Sequence, residues 1–328
     1  MIIYYIITEK CNLSCSHCIR GKAKEKNMKT NDAIDGLYQL QLQYPDAVLI
    51  LSGGEPTLHK DFIKILDIAK SLYPLVVINS NGTTDFFSQH LDICADKKIC
   101  IQFSLDGTQK CHDSIRGQGQ FKKTISNISL LNSHSIPIWI STVVSKKNYK
   151  SVLQLPKFLK DYNIEKWHIS SMMPFGNASI EYMLTNKEWN DFVDEIIQIT
   201  PFRLGIRKLY DIGLLDSLSD EQIQQISINE RNENFKNCGC IKAKLYIYPD
   251  MMVYGCTCMK DMPLGSMKNE SLKDIIINSK SQYIVKYKAS SSVCKTCRFM
   301  PICNGGCLGM QMKYGADIRC PFIQKEGI

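Results

Sequence analysis

Residues 2–18 read IIYYIITEKCNLSCSHC. The apolar run from Ile2 to Ile7 passes directly into a short polar segment that carries Cys11, Cys15 and Cys18 at a C-x3-C-x2-C spacing. No basic stretch precedes the run and no small-residue cleavage site follows it, so it does not read as a secretory signal. It reads as a buried strand, with the cysteines in the loop leaving its C-terminal end. Five further apolar runs follow: AVLIL (47–51), LVVIN (75–79), ICIQFSL (99–105), IPIWISTVV (136–144) and WHISSMM (167–173). Between them lie helix-period patterns such as Phe62, Ile65, Leu66, Ala69 and Phe121, Ile125, Ile128, Leu131. Near-continuous apolar strands alternating with helices predict a parallel sheet with right-handed crossovers. Six such units in about 200 residues predict a partial (β/α)6 barrel, whose functional groups gather at the C-terminal ends of its strands.

Composition fits that reading. The 328 residues are 44% hydrophobic and 22% charged, which argues against disorder, a collagen-like repeat or a membrane bundle. No stretch approaches the ~18 consecutive apolar residues of a membrane helix, so no membrane partner is expected and the expected compartment is the reducing cytoplasm. There the 15 cysteines read as metal ligands or free thiols rather than disulfides. They fall in two dense groups, the triplet and a set from Cys238 to Cys320, with Cys94, Cys100 and Cys111 between them. The charge divides similarly: residues 1–230 hold 25 basic and 25 acidic side chains, residues 231–328 hold 15 and 7. The whole net charge of +8 therefore belongs to the cysteine-rich part, and both shifts place a boundary near residue 235.

The triplet is spaced closely enough for three thiolates to hold one centre. Structural zinc takes a fourth protein ligand, for which His17 is the nearby candidate. A four-iron cluster held by three cysteines keeps one iron open to a non-protein ligand. Each later strand run also ends in polar or glycine residues: Gly53-Gly54-Glu55-Pro56, Asn79-Ser80-Asn81-Gly82 and Ser104-Leu105-Asp106-Gly107, with Arg116 shortly after. Paired glycines allow a close backbone approach, and an arginine fork suits a carboxylate. Taken alone, the first reads as a glycine turn before a helix, and Arg116 reads equally as a surface salt bridge.

With the triplet, these motifs resemble the radical S-adenosylmethionine (SAM) enzymes over residues 2 to about 173, in the order that family has them. The resemblance implies a 4Fe-4S cluster on Cys11, Cys15 and Cys18 whose fourth iron is chelated by SAM. It implies a methionine-binding turn at Gly53, Gly54, Glu55 and Pro56, Ser104 as a ribose contact and Arg116 as partner of the SAM carboxylate; the other polar residues that end strands three and four, Asn81 and Asp106 among them, are read as cofactor-binding candidates placed to meet a ribose. The expected organisation is a radical SAM core over residues 1–174, a remaining barrel helix and insert over 175–236, and a second domain over 237–328.

That second domain reads Cys238-x-Cys240, a hairpin-like KLYIYPDMMVYG, Cys256-x-Cys258, then Cys294-x2-Cys297-x5-Cys303-x3-Cys307 and Cys320. Cysteine knuckles on a basic domain also describe a zinc-ribbon nucleic-acid binder. The irregular spacing and nine cysteines fit two four-iron sites better, and the interleaved aromatics of a single-strand binder are lacking, so no nucleic acid is expected. The pattern resembles the SPASM extension of peptide-modifying and sulfatase-maturing radical SAM enzymes. By that resemblance Cys294, Cys297, Cys303 and Cys320 ligate one auxiliary cluster. Cys307 crosses back to join Cys256 and Cys238 at the other, whose fourth ligand is Cys240, Cys258 or none. Two departures stand out: Met251 occupies a position where that family has glycine, and Thr257 replaces the aspartate that serves sulfatase-maturing enzymes as a base. No general base is identified. Cys94 and Cys100 read as small buried hydrophobes.

The function expected from the resemblance is a peptide maturase that cleaves SAM to a 5′-deoxyadenosyl radical and crosslinks side chains of a ribosomally made precursor peptide through a C–C or thioether bond. The alternatives are a peptide epimerase and a protein or small-molecule dehydrogenase. Three 4Fe-4S clusters and an external electron donor of flavodoxin or ferredoxin type are implied. With the first strand starting at residue 2, a peptide leader is expected to dock on the C-terminal extension, on residues 175–236 or on a separate protein.

Overall fold

The computed structural model describes residues 1–210, 216–228, 243–278 and 291–324. All six expected strands are present, as β1 Ile2–Thr8, β2 Val48–Gly53, β3 Val76–Ser80, β4 Ile99–Ser104, β5 Ile138–Val144 and β6 Ile164–Ser171. They pair in parallel, each with the next in sequence. The register runs Ile3 to Leu49, Leu49 to Val76, Val76 to Ile99. Parallel pairing without large offsets brings the C-terminal ends of these strands to one rim.

Helices pack on the sheet face that carries Ile3, Tyr5, Leu49 and Leu51, while Ile50, Val77 and Cys100 form a separate buried cluster on the opposite face. Helix α1 (Thr30–Gln43) packs Ala33, Leu37 and Leu40 inward, and α2 (Phe62–Leu72) packs the expected Phe62, Ile65, Leu66 and Ala69. Two short helices, α3 (Phe86–Gln89) and α4 (Leu91–Cys94), precede β4; α5 (Gln109–Arg116) and α6 (Gln120–Ser133) follow it. Helices α7 (Tyr149–Val152) and α8 (Leu155–Leu159) lead into β6, and α9 (Asn186–Ile199) leaves it. Thr185 and Glu188 close a reciprocal cap on α9: the Thr185 hydroxyl accepts from Glu188 N at 3.2 Å and the Glu188 carboxylate from Thr185 N at 2.8 Å.

The sheet extends beyond the expected barrel at both ends. A three-residue β7 (Arg203–Gly205) pairs in parallel with β6. On the other side β8 (Lys244–Ile247) pairs in parallel with β1, and β9 (Met252–Tyr254) and β10 (Gly265–Ser266) continue antiparallel, giving one sheet in the order β10-β9-β8-β1-β2-β3-β4-β5-β6-β7. The expected C-terminal hairpin is therefore β8 and β9, and its first strand is hydrogen-bonded into the barrel sheet. Tyr4 of β1 stacks on Tyr246 of β8 with ring centroids 4.6 Å apart. At the hairpin turn Met251 holds φ +66°, the conformation glycine would take freely. Its side chain is buried at the core, which offsets about 1 kcal/mol or more of backbone strain. Among the described residues no helix is long and apolar enough to cross a membrane.

Candidate active site and cysteine centres

A cavity of about 350 Å³ opens at the C-terminal rim of the sheet. Cys11, Cys15, Cys18, Gly53, Gly54, Asn81, Ser104 and Arg116 all line it. Glu55, Pro56 and Asp106, grouped with them by sequence, are buried and absent from its wall. Their work is behind the surface.

Three elements clamp the cysteine loop from its sides. Gly54 N donates to Thr8 O at 2.9 Å and Glu55 N to Lys10 O at 2.8 Å, fastening it to the end of β2. Ser16 N donates to Ile115 O of α5 at 3.0 Å. Beyond β6, Asn177 N donates to Cys18 O at 2.9 Å and Asn177 Nδ2 to Cys15 O at 3.1 Å. Gly176, at φ +66°, makes that last approach possible, since a Cβ there would overlap Cys18 O. The glycine pair has a similar reason: a Cβ on Gly54 would overlap Lys10 O and stand 2.7 Å from Cys11 Cβ. Gly53 and Gly54 thus let β2 approach the cysteine loop as well as border the cavity.

Glu55 accepts from Thr57 Oγ1 at 2.8 Å, Ser80 Oγ at 2.9 Å and Asn81 N at 2.7 Å, which joins the ends of β2 and β3. Its carboxylate is occupied by these partners, so contact with a ligand at this turn falls to backbone groups. Burial pushes its pKa up, against the pull of those donors. Asn81 Nδ2 in turn donates to Asn12 Oδ1 at 2.9 Å, and Asn12 Nδ2 to Thr83 Oγ1 at 2.9 Å, so the β3 end also holds the loop.

Asp106 is the charged centre beneath the site. It is fully buried. Its Oδ2 meets Arg116 Nε at 2.5 Å and His17 Nε2 at 2.7 Å, while Oδ1 accepts from Val143 N at 2.9 Å. Burial alone would raise its pKa, but Arg116 and His17 outweigh it and hold the carboxyl well below the usual carboxylate range. Arg116 is thereby aimed, with Nη1 4.0 Å from Cys15 Sγ. His17, the alternative zinc ligand in the sequence, points to Asp106 instead. Burial pushes the Cys11 thiol up to about 11 and raises Cys15 as well, with Arg116 opposing. These thiols become thiolates readily only when a cation repays the desolvation.

His112 lies one layer deeper, its Nδ1 accepting from Asp106 N at 3.2 Å. Burial pushes its pKa down to about 4 from the ordinary 6.5. The folded chain keeps it neutral where the unfolded chain binds a proton. Stability present above pH 6.5 is therefore lost as pH falls toward 4, by up to about 3 kcal/mol. Urea midpoints at pH 7 and 4.5 should separate less in His112→Gln than in the parent; equal separations refute the assignment.

The C-terminal cysteines form two groups. Cys294, Cys297, Cys303 and Cys320 surround one space together with Tyr210 and Asp317. The Cys258 thiol hydrogen-bonds with Cys256 and Cys307, and these contacts raise its pKa. Cys238 and Cys240 lie outside the described residues. Among the described residues no three Cys, His, Asp or Glu side chains converge tightly enough to hold a single metal ion. Cys94 and Cys100 are buried among apolar neighbours, and Cys111 donates to Lys147 O at 3.4 Å, away from both groups. Thr257 is buried and absent from the cavity wall, 3.4 Å from Tyr248 OH.

Several residues escape a reading of the sequence. Arg20 donates through Nη1 to Gly53 O and through Nη2 to Ser52 Oγ at 3.2 Å, placing a second guanidinium on the glycine turn. Its position two residues after Cys18 is a readable signal. Gly176 and Asn177 are not recognisable, because their partner lies some 160 positions earlier in the chain.

Residues 5–159 match the radical SAM superfamily, and residues 238–298 match SPASM, an iron-sulfur cluster-binding domain. The chain is 24% identical over 331 residues to the mycofactocin maturase MftC of Mycolicibacterium smegmatis, across 96% of this chain and 80% of that protein. It is 22% identical over 368 residues to the Fe-coproporphyrin III synthase of Methanosarcina barkeri, across 100% of this chain and 89% of that protein. Streptococcus suis SuiB, solved bound to its precursor peptide SuiA, shares the fold at a TM-score of 0.80 and 18% identity, covering 98% of this chain and 75% of SuiB. Domains of these two kinds imply SAM and iron–sulfur clusters. The chain thus carries a radical SAM domain that holds the cysteine triplet, followed by a SPASM domain whose matched stretch includes Cys256, Cys258, Cys294 and Cys297.

Proposed function

We propose that the chain is a peptide maturase that joins side chains of a ribosomally made precursor peptide. The observation that carries this reading is the convergence of three unpaired thiols with the ends of the parallel strands on one cavity. A three-thiol donor set with glycine backbone beside it fits a cluster with one open iron. When bound, the cluster and SAM supply one electron and a 5′-deoxyadenosyl radical able to take hydrogen from an unactivated carbon.

In this reading Cys11, Cys15 and Cys18 hold that cluster. The backbone carbonyl of Gly54 accepts from the methionyl ammonium, beside Gly53, whose own carbonyl accepts from Arg20. Asn81 and Ser104 face the ribose, and the N–H groups of Arg116 not committed to Asp106 meet the SAM carboxylate. Glu55, Pro56 and Asp106 position these groups from behind. Two auxiliary clusters are assigned to the C-terminal cysteines: Cys294, Cys297, Cys303 and Cys320 for one, and Cys256, Cys307 and Cys238 for the other, with Cys258 or Cys240 as the candidate fourth ligand. An external flavodoxin- or ferredoxin-type donor supplies the electron, in the cytoplasm. The relatives named as maturases support a peptide substrate, and Thr257 disfavours a sulfatase-maturing role because it is no base.

Anaerobic reconstitution should give about twelve iron per chain and, with dithionite, conversion of SAM to 5′-deoxyadenosine. Cys15→Ala should lose about four iron and the cleavage together. A chain that takes up zinc and no iron overturns the reading. With a precursor peptide, loss of two hydrogens supports crosslinking; an unchanged mass with one solvent deuterium gained replaces it with epimerisation.

A further inference from the structure

We infer that Asp317 is a positioning residue that fixes one cysteine in each C-terminal group and sets the reduction potentials of the clusters they hold. The inference rests on the proposal that these groups bind auxiliary clusters. Asp317 is 1% exposed, and it pairs with Arg319, also buried, through two contacts, Nε to Oδ1 at 2.9 Å and Nη2 to Oδ2 at 2.7 Å. A buried ion pair of this kind is weak evidence for stability.

Asp317 makes further bonds to both cysteine groups. Oδ2 accepts from Cys307 N at 2.8 Å, and the Asp317 backbone O accepts from Cys320 N at 2.9 Å. Cys307 belongs to the group with Cys256 and Cys258; Cys320 belongs to the group with Cys294, Cys297 and Cys303. One residue therefore joins a ligand of each group through two hydrogen bonds. Tyr210 OH donates to the same Oδ2 at 2.8 Å and, with Asp317, lines the space those four cysteines surround. Gly306, at φ +79°, is pressed against both: a Cβ there would overlap the Tyr210 hydroxyl and stand 2.5 Å from Oδ2. Only a glycine leaves room for that arrangement. Hydrogen bonds and charges close to cysteine ligands are the protein's main means of tuning a cluster.

The test uses the full, anaerobically reconstituted chain. Asp317→Asn keeps the shape and removes one negative charge beside both groups. Removing it favours the more negative reduced cluster, so the potentials of the C-terminal clusters should shift upward in an EPR-monitored titration. Iron content, the SAM-binding cluster and SAM cleavage should stay at parental levels. Asp317→Ala removes the acceptor of Cys307 N and keeps the backbone O that holds Cys320 N, so it should lose about four iron from the group with Cys307 and keep SAM cleavage. Should these variants not fold, Tyr210→Phe removes one donor from Oδ2, leaves the carboxylate more of its charge and should shift the same potentials downward. Unchanged auxiliary potentials in Asp317→Asn, or full iron with unchanged spectra in Asp317→Ala, overturn the inference. A parent chain holding only about four iron overturns both it and the auxiliary-cluster proposal.

Discussion

Asp106→Ala is expected to destabilise the chain by about 3–5 kcal/mol, the largest stability effect of any single change at the site. The carboxylate is fully buried, and the side chain of its partner Arg116 is only 9% exposed. Removing Asp106 leaves that guanidinium in the interior with no counter-charge, takes the Nε2 partner from His17 and frees Val143 N. The cost comes from the uncompensated charge more than from the lost pair. Asp106→Ala combined with Arg116→Met should therefore recover a large part of the loss, because the stranded cation goes with it. Urea unfolding of both variants measures this. A cost below about 1 kcal/mol for the single variant, or none recovered in the double, would show that the pair is solvated in solution. Because Arg116 and His17 both touch the cysteine loop or its lining, SAM cleavage should fall in Asp106→Ala even below its unfolding midpoint.

Much of this site is legible in the sequence, for a definable reason. Strands of a largely buried parallel sheet are largely apolar, so β1 to β6 stand out as runs, and everything polar immediately after a run falls at one rim. That logic locates the triplet, Gly53, Asn81 and Ser104. It does not separate the residues that face the cavity from those one layer behind it. Glu55 and Asp106 occupy equivalent places after their strands, yet both turn inward to hold backbone and side-chain donors from a neighbouring strand or loop. Arg116 reads equally as a surface ion pair; it is an internal one whose partner sits ten residues earlier. The attachment of β8 to β1 is hidden for another reason. KLYI is a short strand with a polar start, and nothing in its period names a partner some 240 residues away. Asp317 carries a fainter signal: two opposite charges, Asp317 and Arg319, immediately before a cysteine in an otherwise uncharged stretch.

Gly54→Ala is the smallest substitution expected to abolish the proposed chemistry. Its added methyl would overlap Lys10 O and stand 2.7 Å from Cys11 Cβ, and neither atom is the free end of a flexible side chain. One is backbone held by Glu55 N at 2.8 Å, and the other is the root of a candidate ligand. The loop must therefore move away from β2, and Cys11 moves with it relative to Cys15 and Cys18, which remain tied to α5 and to Asn177. The folding cost of such overpacking is only about 1–3 kcal/mol, so the variant should still fold. A displacement near 1 Å at one of three ligands costs far more in function, on the order of a hundredfold. Gly119→Ala supplies the control: it also burdens the backbone, at φ +80°, but nothing lies within 4 Å of the added methyl. It should lose some stability and keep its iron and its SAM cleavage. Gly54→Ala should keep most of its stability and lose both. The opposite pattern, or parental iron and cleavage in Gly54→Ala, would mean that the β2 turn serves a ligand and leaves the cysteine loop unconstrained.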